Sequence, residues 1–255
     1  MTQQEALDIL KLGHNVYLTG SAGSGKTYVL NQYIKYLRDH EVDVGITAST
    51  GIAATHMNGM TIHSWCGLGI RDTLSPQDID AMEEKRYLWT RLQNTKVLII
   101  DEVSMLHHFR LDLIEQICRA FKRNNKPFGG LQVVLCGDFF QLPPVARRGE
   151  DPAHFIYHSK TWENMDINIC YLHEQHRQKD DDFLQVLNEI RASSVSAETL
   201  NLLTARFNKD PETSVRATKL YTHNVDVDAI NNAELEQLDG VIHEYMMSEH
   251  GREHL

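Results

Sequence analysis

Short runs of apolar, β-branched residues alternate along the chain with stretches of helical periodicity. Runs at 16–19, 43–48, 96–100, 132–136, 167–172 and 219–222 read as strands. Runs such as VLII within 96–100 and VVLC within 132–136 show no polar alternation, so they predict strands buried on both faces, as in a parallel sheet covered by helices. Between those two runs Met105, Phe109, Leu113, Ile117 and Phe121 recur every fourth residue, with Leu106, Ile114 and Cys118 beside them. That spacing predicts an amphipathic helix with Ser104 as its N-cap and Arg119, Lys122 and Arg123 complementing its C-terminal dipole. Asn124 to Gly130 breaks it before the next strand. Strands alternating with helices give the α/β class. Residues 66–95 hold no strand pattern and read as a helical insertion. Pro143, Pro144, Gly149 and Pro152 mark a boundary within 145–168.

The first strand run leads into Gly20-Ser21-Ala22-Gly23-Ser24-Gly25-Lys26-Thr27, a complete G-x-x-x-x-G-K-[ST] phosphate loop, followed by a helical stretch over 28–39. Glycines let backbone N–H groups converge on phosphate oxygens, and the helix start adds favourable potential. Lys26 is the expected partner of the β- and γ-phosphates of ATP, and Thr27 the expected Mg²⁺ ligand. The strand run 96–100 ends in Asp101 and Glu102. In a P-loop fold that strand end faces the phosphate loop, so Asp101 is expected in the Mg²⁺ shell and Glu102 as the residue orienting or deprotonating the attacking water. Gln141 follows the strand at 132–136 and is expected at the same edge, where its amide can both donate and accept at the γ-phosphate and water.

Together these residues resemble the superfamily-one DNA helicases of the Pif type, a group similar to phage Dda and RecD-like enzymes. The resemblance also includes Ser49 to Ala54, Thr61 to Ser64, Asp101 to Met105, Gly137 to Val145 and Glu174 to Gln178. Its most specific element is LDLIEQICRAFKRNNKPFGG, residues 111–130. The pieces follow the family's order from about residue 3 to residue 238. The resemblance implies a P-loop NTPase with a RecA-like parallel sheet flanked by helices over 1–166, and the beginning of a second RecA-like domain over 167–255. It implies that Gln4, or its neighbour Gln3, reads adenine, that Thr50, Gly51 and His63 line a single-stranded DNA track, and that Arg177 is an arginine finger on the γ-phosphate. Trp65 is expected in the core rather than stacked on a base. The implied activity is 5′-to-3′ translocation on single-stranded DNA driven by ATP and Mg²⁺, by a monomer acting at DNA duplex junctions. The family's late motifs, a His-Lys-Ser-Gln-Gly core and a final Ser-Arg pair, are absent from this sequence. The chain is therefore expected to be an N-terminal part of such a motor, retaining some nucleotide binding and lacking processive unwinding. Two alternatives remain: a P-loop ATPase that remodels protein, and an ATP-gated module that binds single strands without unwinding them.

Composition and charge adjust this picture. In 255 residues, 42% hydrophobic and 24% charged, there is material for a packed core and no sign of disorder. The four cysteines form no C-x-x-C pair, and Cys170, His173 and His176 lack a fourth ligand nearby, so reduced buried thiols are expected rather than a metal site. No signal peptide or transmembrane run is evident, which predicts an intracellular protein without membrane partners. The formal charge of −10 weighs against a nucleic-acid binder until its position is considered. Residues 223–255 hold eight acids and one base, a share of −7, which leaves −3 for residues 1–222. Within those, Arg119, Lys122, Arg123 and Lys126 cluster, as do Lys85, Arg86, Arg91 and Lys96. A narrow basic track on an acidic body is compatible with DNA.

Overall fold

The computed structural model describes residues 1–146, 153–209, 218–238, 240–241 and 243–246. Gly149 and Pro152, part of the expected boundary signal, lie outside them. Six parallel strands form one sheet: β1 Asn15–Gly20, β2 Val44–Ala48, β3 Met60–Thr61, β4 Val97–Asp101, β5 Gln132–Cys136 and β6 Ile167–Leu172. Their order is β3-β2-β4-β5-β1-β6. The helices are α1 Gln3–Lys11, α2 Lys26–Asp39, α3 Gly51–His56, α4 Ile62–Trp65, α5 Pro76–Glu83, α6 Arg86–Asn94, α7 His108–Lys122, α8 Lys160–Asn164, α9 Asp181–Arg191, α10 Ala197–Arg206 and α11 Asn224–Leu235.

The continuous apolar runs do what their lack of alternation predicts. Val97 and Ile99 of β4 pack with α1 and α2 on one face, among Leu10, Leu30 and Tyr33. Leu98 and Ile100 pack with the other layer of helices, among Trp65, Leu88, Ile114 and Phe121. Successive side chains of a strand point to opposite faces, so one run supplies two cores. All four cysteines are buried and unpaired by disulfide. Trp65 is buried, and Gly45 gives it room: a Cβ at residue 45 would lie 2.8 Å from its Nε1. Two helices, α5 and α6, occupy the expected insertion. No helix among the described residues is long and apolar enough to cross a membrane.

Three expectations change. The helix after β4 does not begin at Ser104. Glu102 adopts a left-handed conformation (φ 53°), Val103–Met105 form a single 3-10 turn in which Ser104 is buried, and Leu106 is extended before α7 starts behind His107. Its buried stripe is accordingly Leu111, Ile114, Ile117, Cys118 and Phe121, without Met105 or Phe109. Residues 219–222 are not a strand; the six paired strands all lie within 15–172, and a strand exists only through its ladder. The division at 166/167 would cut a hydrogen-bonded pair, because β6 runs beside β1 from Asn15–Ile167 to Gly20–Leu172. The compact units are instead Met1–Thr199 and Leu200–Leu255. Within the second, α11 is the one complete helix among the described residues.

Candidate nucleotide site and nucleic-acid groove

In a parallel sheet every strand delivers its carboxyl end to the same edge. Here that edge receives Gly20 from β1, Asp101 from β4, Gly137 and Asp138 after β5, Ser49 to Gly51 after β2, and residues 173–177 after β6. Segments far apart in sequence thereby meet around the phosphate loop.

The loop itself is shaped by glycine. Gly23 (φ 88°) and Gly25 (φ 87°) occupy the left-handed region, and Gly25 directly precedes α2. A side chain at Gly23 would collide with Gln175 and with the Cβ of Arg177; one at Gly25 would collide with the amide of Gln3. Lys26 Nζ donates to the carbonyls of Gly20 (2.8 Å) and Ser21 (3.1 Å). Ser24 Oγ is buried with no hydrogen-bond partner among the described residues. An orphaned buried hydroxyl, a glycine cradle at a helix start and a lysine arched over them fit a bound polyphosphate.

Two outer segments grip this loop. Gln3 Nε2 donates to Ser24 O (3.2 Å). Gln4, the glutamine first expected there, points away and donates to Asp8 Oδ1 (2.8 Å) one turn along α1. Adjacent helical residues lie about 100° apart, so only one of the pair can face the loop, and Thr2, capping α1 through Glu5 N, sets the phase. From the other side, Gln175 Nε2 donates to Ala22 O (2.9 Å), and His176 N–H donates to Gly23 O (2.9 Å). This brings the Cβ of Arg177 close to Gly23, while Glu174 pairs with His176 (3.3 Å).

Asp101 is buried and its Oδ1 accepts the N–H of Glu102 (2.9 Å). Burial, and then the neighbouring Asp101 charge, raise the Glu102 carboxyl above the usual range, with Lys26 opposing. A half-buried carboxylate of raised basicity beside a lysine and a second carboxylate has the attributes of a general base. Thr27 and Asp101 offer oxygen ligands of the type Mg²⁺ takes.

Gln141 is exposed, and its Nε2 donates to Asp138 Oδ2 (3.3 Å). Asp138 is buried and also paired bidentately with Arg191 of α9, at 2.6 and 2.8 Å. Sequence reasoning found Gln141 but not Asp138, Arg191 or Gln175. Asp138 carried a local signal, its place directly after a buried strand. Arg191 carried none, because it reaches the site only through the fold.

The residues expected to hold DNA occupy two places. Thr50 caps α3, accepting from Ala53 N (3.3 Å), and a Cβ at Gly51 would meet open space. His63 lines a groove of about 470 Å³ with Ile70, His107, Phe109, Arg110 and Val145, whose lining includes neither Thr50 nor Gly51. Burial, and then the Arg110 charge, push the His63 imidazole down to about 4. Its Nε2 has no partner among the described residues.

The sequence profile of the PIF1-like helicase family matches residues 2–200. The chain is 52% identical over 260 residues to the ATP-dependent DNA helicase Pif1 of Psychrobacter sp. (strain PRwf-1), covering 98% of this chain and 39% of that one. It is 35% identical to the human ATP-dependent DNA helicase PIF1, covering 95% and 37%. The chain thus spans less than half the length of these relatives. Among solved structures, the Pif1 helicase of Candida albicans superposes with a TM-score of 0.83 at 36% identity, covering 93% of this chain and 54% of that one. The Bacteroides Pif1 helicase in complex with ADP-AlF3 and single-stranded DNA gives 0.79 at 32% identity, covering 94% and 57%.

Proposed function

The chain belongs to the PIF1-like helicase family, and from that membership we propose that it is the nucleotide-binding part of an ATP-dependent DNA helicase that translocates 5′ to 3′ on single-stranded DNA. The observation that carries this reading is the convergence of Lys26, Asp101, Glu102 and the Gln141 turn on one sheet edge, with the Arg177 segment bonded to the phosphate loop from outside.

The roles follow from position. The loop N–H groups of 20–27 hold the phosphates of ATP, and Lys26 exchanges its two carbonyl partners for phosphate oxygens. Gln3 faces the loop from the side on which a base can be read. Thr27 and Asp101 hold Mg²⁺, which neutralises charge on the phosphate oxygens. Glu102 accepts a proton from, or orients, the attacking water. Gln141 contacts the γ-phosphate, and Arg177 stabilises its transition-state charge. Thr50 and Gly51 contact the DNA backbone at the end of β2, and His63 contacts it within its groove. The start of a second RecA-like domain lies within residues 167–255. The motor acts as a monomer at duplex junctions, in the nucleus or a mitochondrion or in a prokaryotic cell.

ATP hydrolysis measured with and without single-stranded DNA tests the proposal. Stimulation by DNA is the expected result. Hydrolysis indifferent to DNA, or the absence of DNA binding, refutes it in favour of an ATPase that acts on protein.

A further inference from the structure

Asp138 is the most enclosed carboxylate at the sheet edge: its side chain is 1% exposed, and that of Arg191 is 19% exposed. Its acceptor capacity is fully used. Oδ2 accepts from Arg191 Nη1 (2.6 Å) and Gln141 Nε2 (3.3 Å), and Oδ1 accepts from Arg191 Nη2 (2.8 Å) and the N–H of Phe140 (3.1 Å). The Arg191 guanidinium lies over the Phe140 ring, 4.3 Å from its centroid. Gln141 N–H closes the turn on Asp138 O (2.9 Å). One arginine therefore holds two residues of this turn, Asp138 and Phe140, and reaches Gln141 through Asp138.

We infer that Arg191 is a positioning residue for Gln141, fixing through Asp138 the orientation in which the Gln141 amide meets the nucleotide. The inference rests on the proposed contact of Gln141 with the γ-phosphate. An ionised carboxylate cannot donate, so it takes one N–H of the Gln141 amide, which leaves the second N–H to donate to a phosphate oxygen and Oε1 to accept from water. That selection requires Asp138 to stay ionised although buried. Burial raises its carboxyl, and the hydrogen bonds from Arg191 and Phe140 N–H outweigh burial and leave it below the usual range. A buried ion pair adds little to stability over an apolar pair of like volume, so packing alone does not account for this one. The same stretch of chain grips the phosphate loop at Gln175 and His176 and the Gln141 turn at Arg191. A shift of that stretch is thereby felt at both ends of the polyphosphate.

The test is calorimetric affinity for ADP alone and for ADP with aluminium fluoride, in the presence of Mg²⁺, on the full chain. Wild type is expected to prefer the fluoride complex, and Gln141→Ala to lose that preference. Arg191→Ala strands a buried carboxylate and can unfold the protein, so the decisive variant is the double substitution D138N/R191M. The introduced asparagine keeps the acceptor for Phe140 N–H, the introduced methionine keeps contact with the Phe140 ring, and no ionised carboxylate remains to orient Gln141. Its preference for the fluoride complex is expected to fall about 10- to 100-fold, the range of one oriented hydrogen bond to a charged group. ADP affinity should hold, and adding Gln141→Ala should change nothing further. A folded double variant with wild-type preference overturns the inference while leaving the site reading intact. A wild-type protein without the preference, or Gln141→Ala that retains it, overturns the site reading and the inference with it.

Discussion

Lys26→Ala separates the binding role of the phosphate loop from its structural role. Lys26 Nζ donates to the carbonyls of Gly20 and Ser21. Both belong to a part-buried loop that water can reach, and alanine is at least as good as lysine at the first residue of α2. The loss on folding is therefore about 1 kcal/mol, or about 2–4 °C in melting temperature for a chain of this size. With ATP the ammonium faces phosphate oxygens. One pair of unit charges near 4 Å at an effective dielectric of about 20 is worth about 4 kcal/mol. Giving up the two carbonyl bonds returns about 1–2 kcal/mol of this. The remainder predicts roughly a 30- to 150-fold loss of ATP affinity. ADP lacks the γ-phosphate and should lose less. Calorimetry with both nucleotides, alongside thermal melts, measures all three quantities. Unchanged ATP affinity refutes the assigned role. A melting loss well beyond the predicted few degrees, with ATP and ADP weakened equally, refutes the separation of binding from folding.

Glu102 predicts a pH profile: its raised carboxyl places the acid limb of ATP hydrolysis above that of an ordinary glutamate, with activity falling as pH drops through it. Glu102→Gln should lower the rate by about 10²–10⁴ and abolish that limb while retaining nucleotide affinity; a limb that persists rules out Glu102 as the base. Gln3→Ala should relax the preference for adenine by about tenfold, whereas Gln4→Ala should leave it unchanged; comparison of ATP with GTP binding decides, and the reverse result would restore Gln4. His63 should titrate near 4 by NMR and so be neutral at physiological pH. His63→Ala should then weaken single-strand binding without changing its salt dependence; a reduced salt slope would show that His63 binds as a cation.

What could be read in the sequence divides along physical lines. The phosphate loop was legible because its chemistry is local: eight consecutive residues encode the turn, the donors and the cation. The central strands β1, β4 and β5 were legible because burial on both faces leaves an unbroken apolar run, whereas the two-residue β3, which is partly exposed, left no run to read. Residues 219–222 carry a similar pattern and form no strand, since strand character depends on a partner that a local pattern does not report. The start of α7 was misread for a related reason. Ser104 is a good capping residue by type, but the left-handed Glu102 turns the chain before it, and the helix begins four residues later. The Pro- and Gly-rich stretch marked a loop rather than a domain division, because β6 returns to pair with β1.

The contacts that close the site were the least legible, and the reason bears on mechanism. The N-terminus donates to Tyr171 O (2.8 Å) and His173 N–H to Met1 O (3.4 Å), so α1 and the end of β6 are tied to each other as well as to the loop. Gln3 and Gln175 thus approach the same eight residues from segments separated by about 170 positions. Apart from the long contact of Gln175 Nε2 with Ser21 Oγ (3.4 Å), these grips are hydrogen bonds to loop carbonyls, which binding of phosphate through the loop N–H groups need not break. Lys26 is the exception, since its ammonium must leave two carbonyls to reach phosphate.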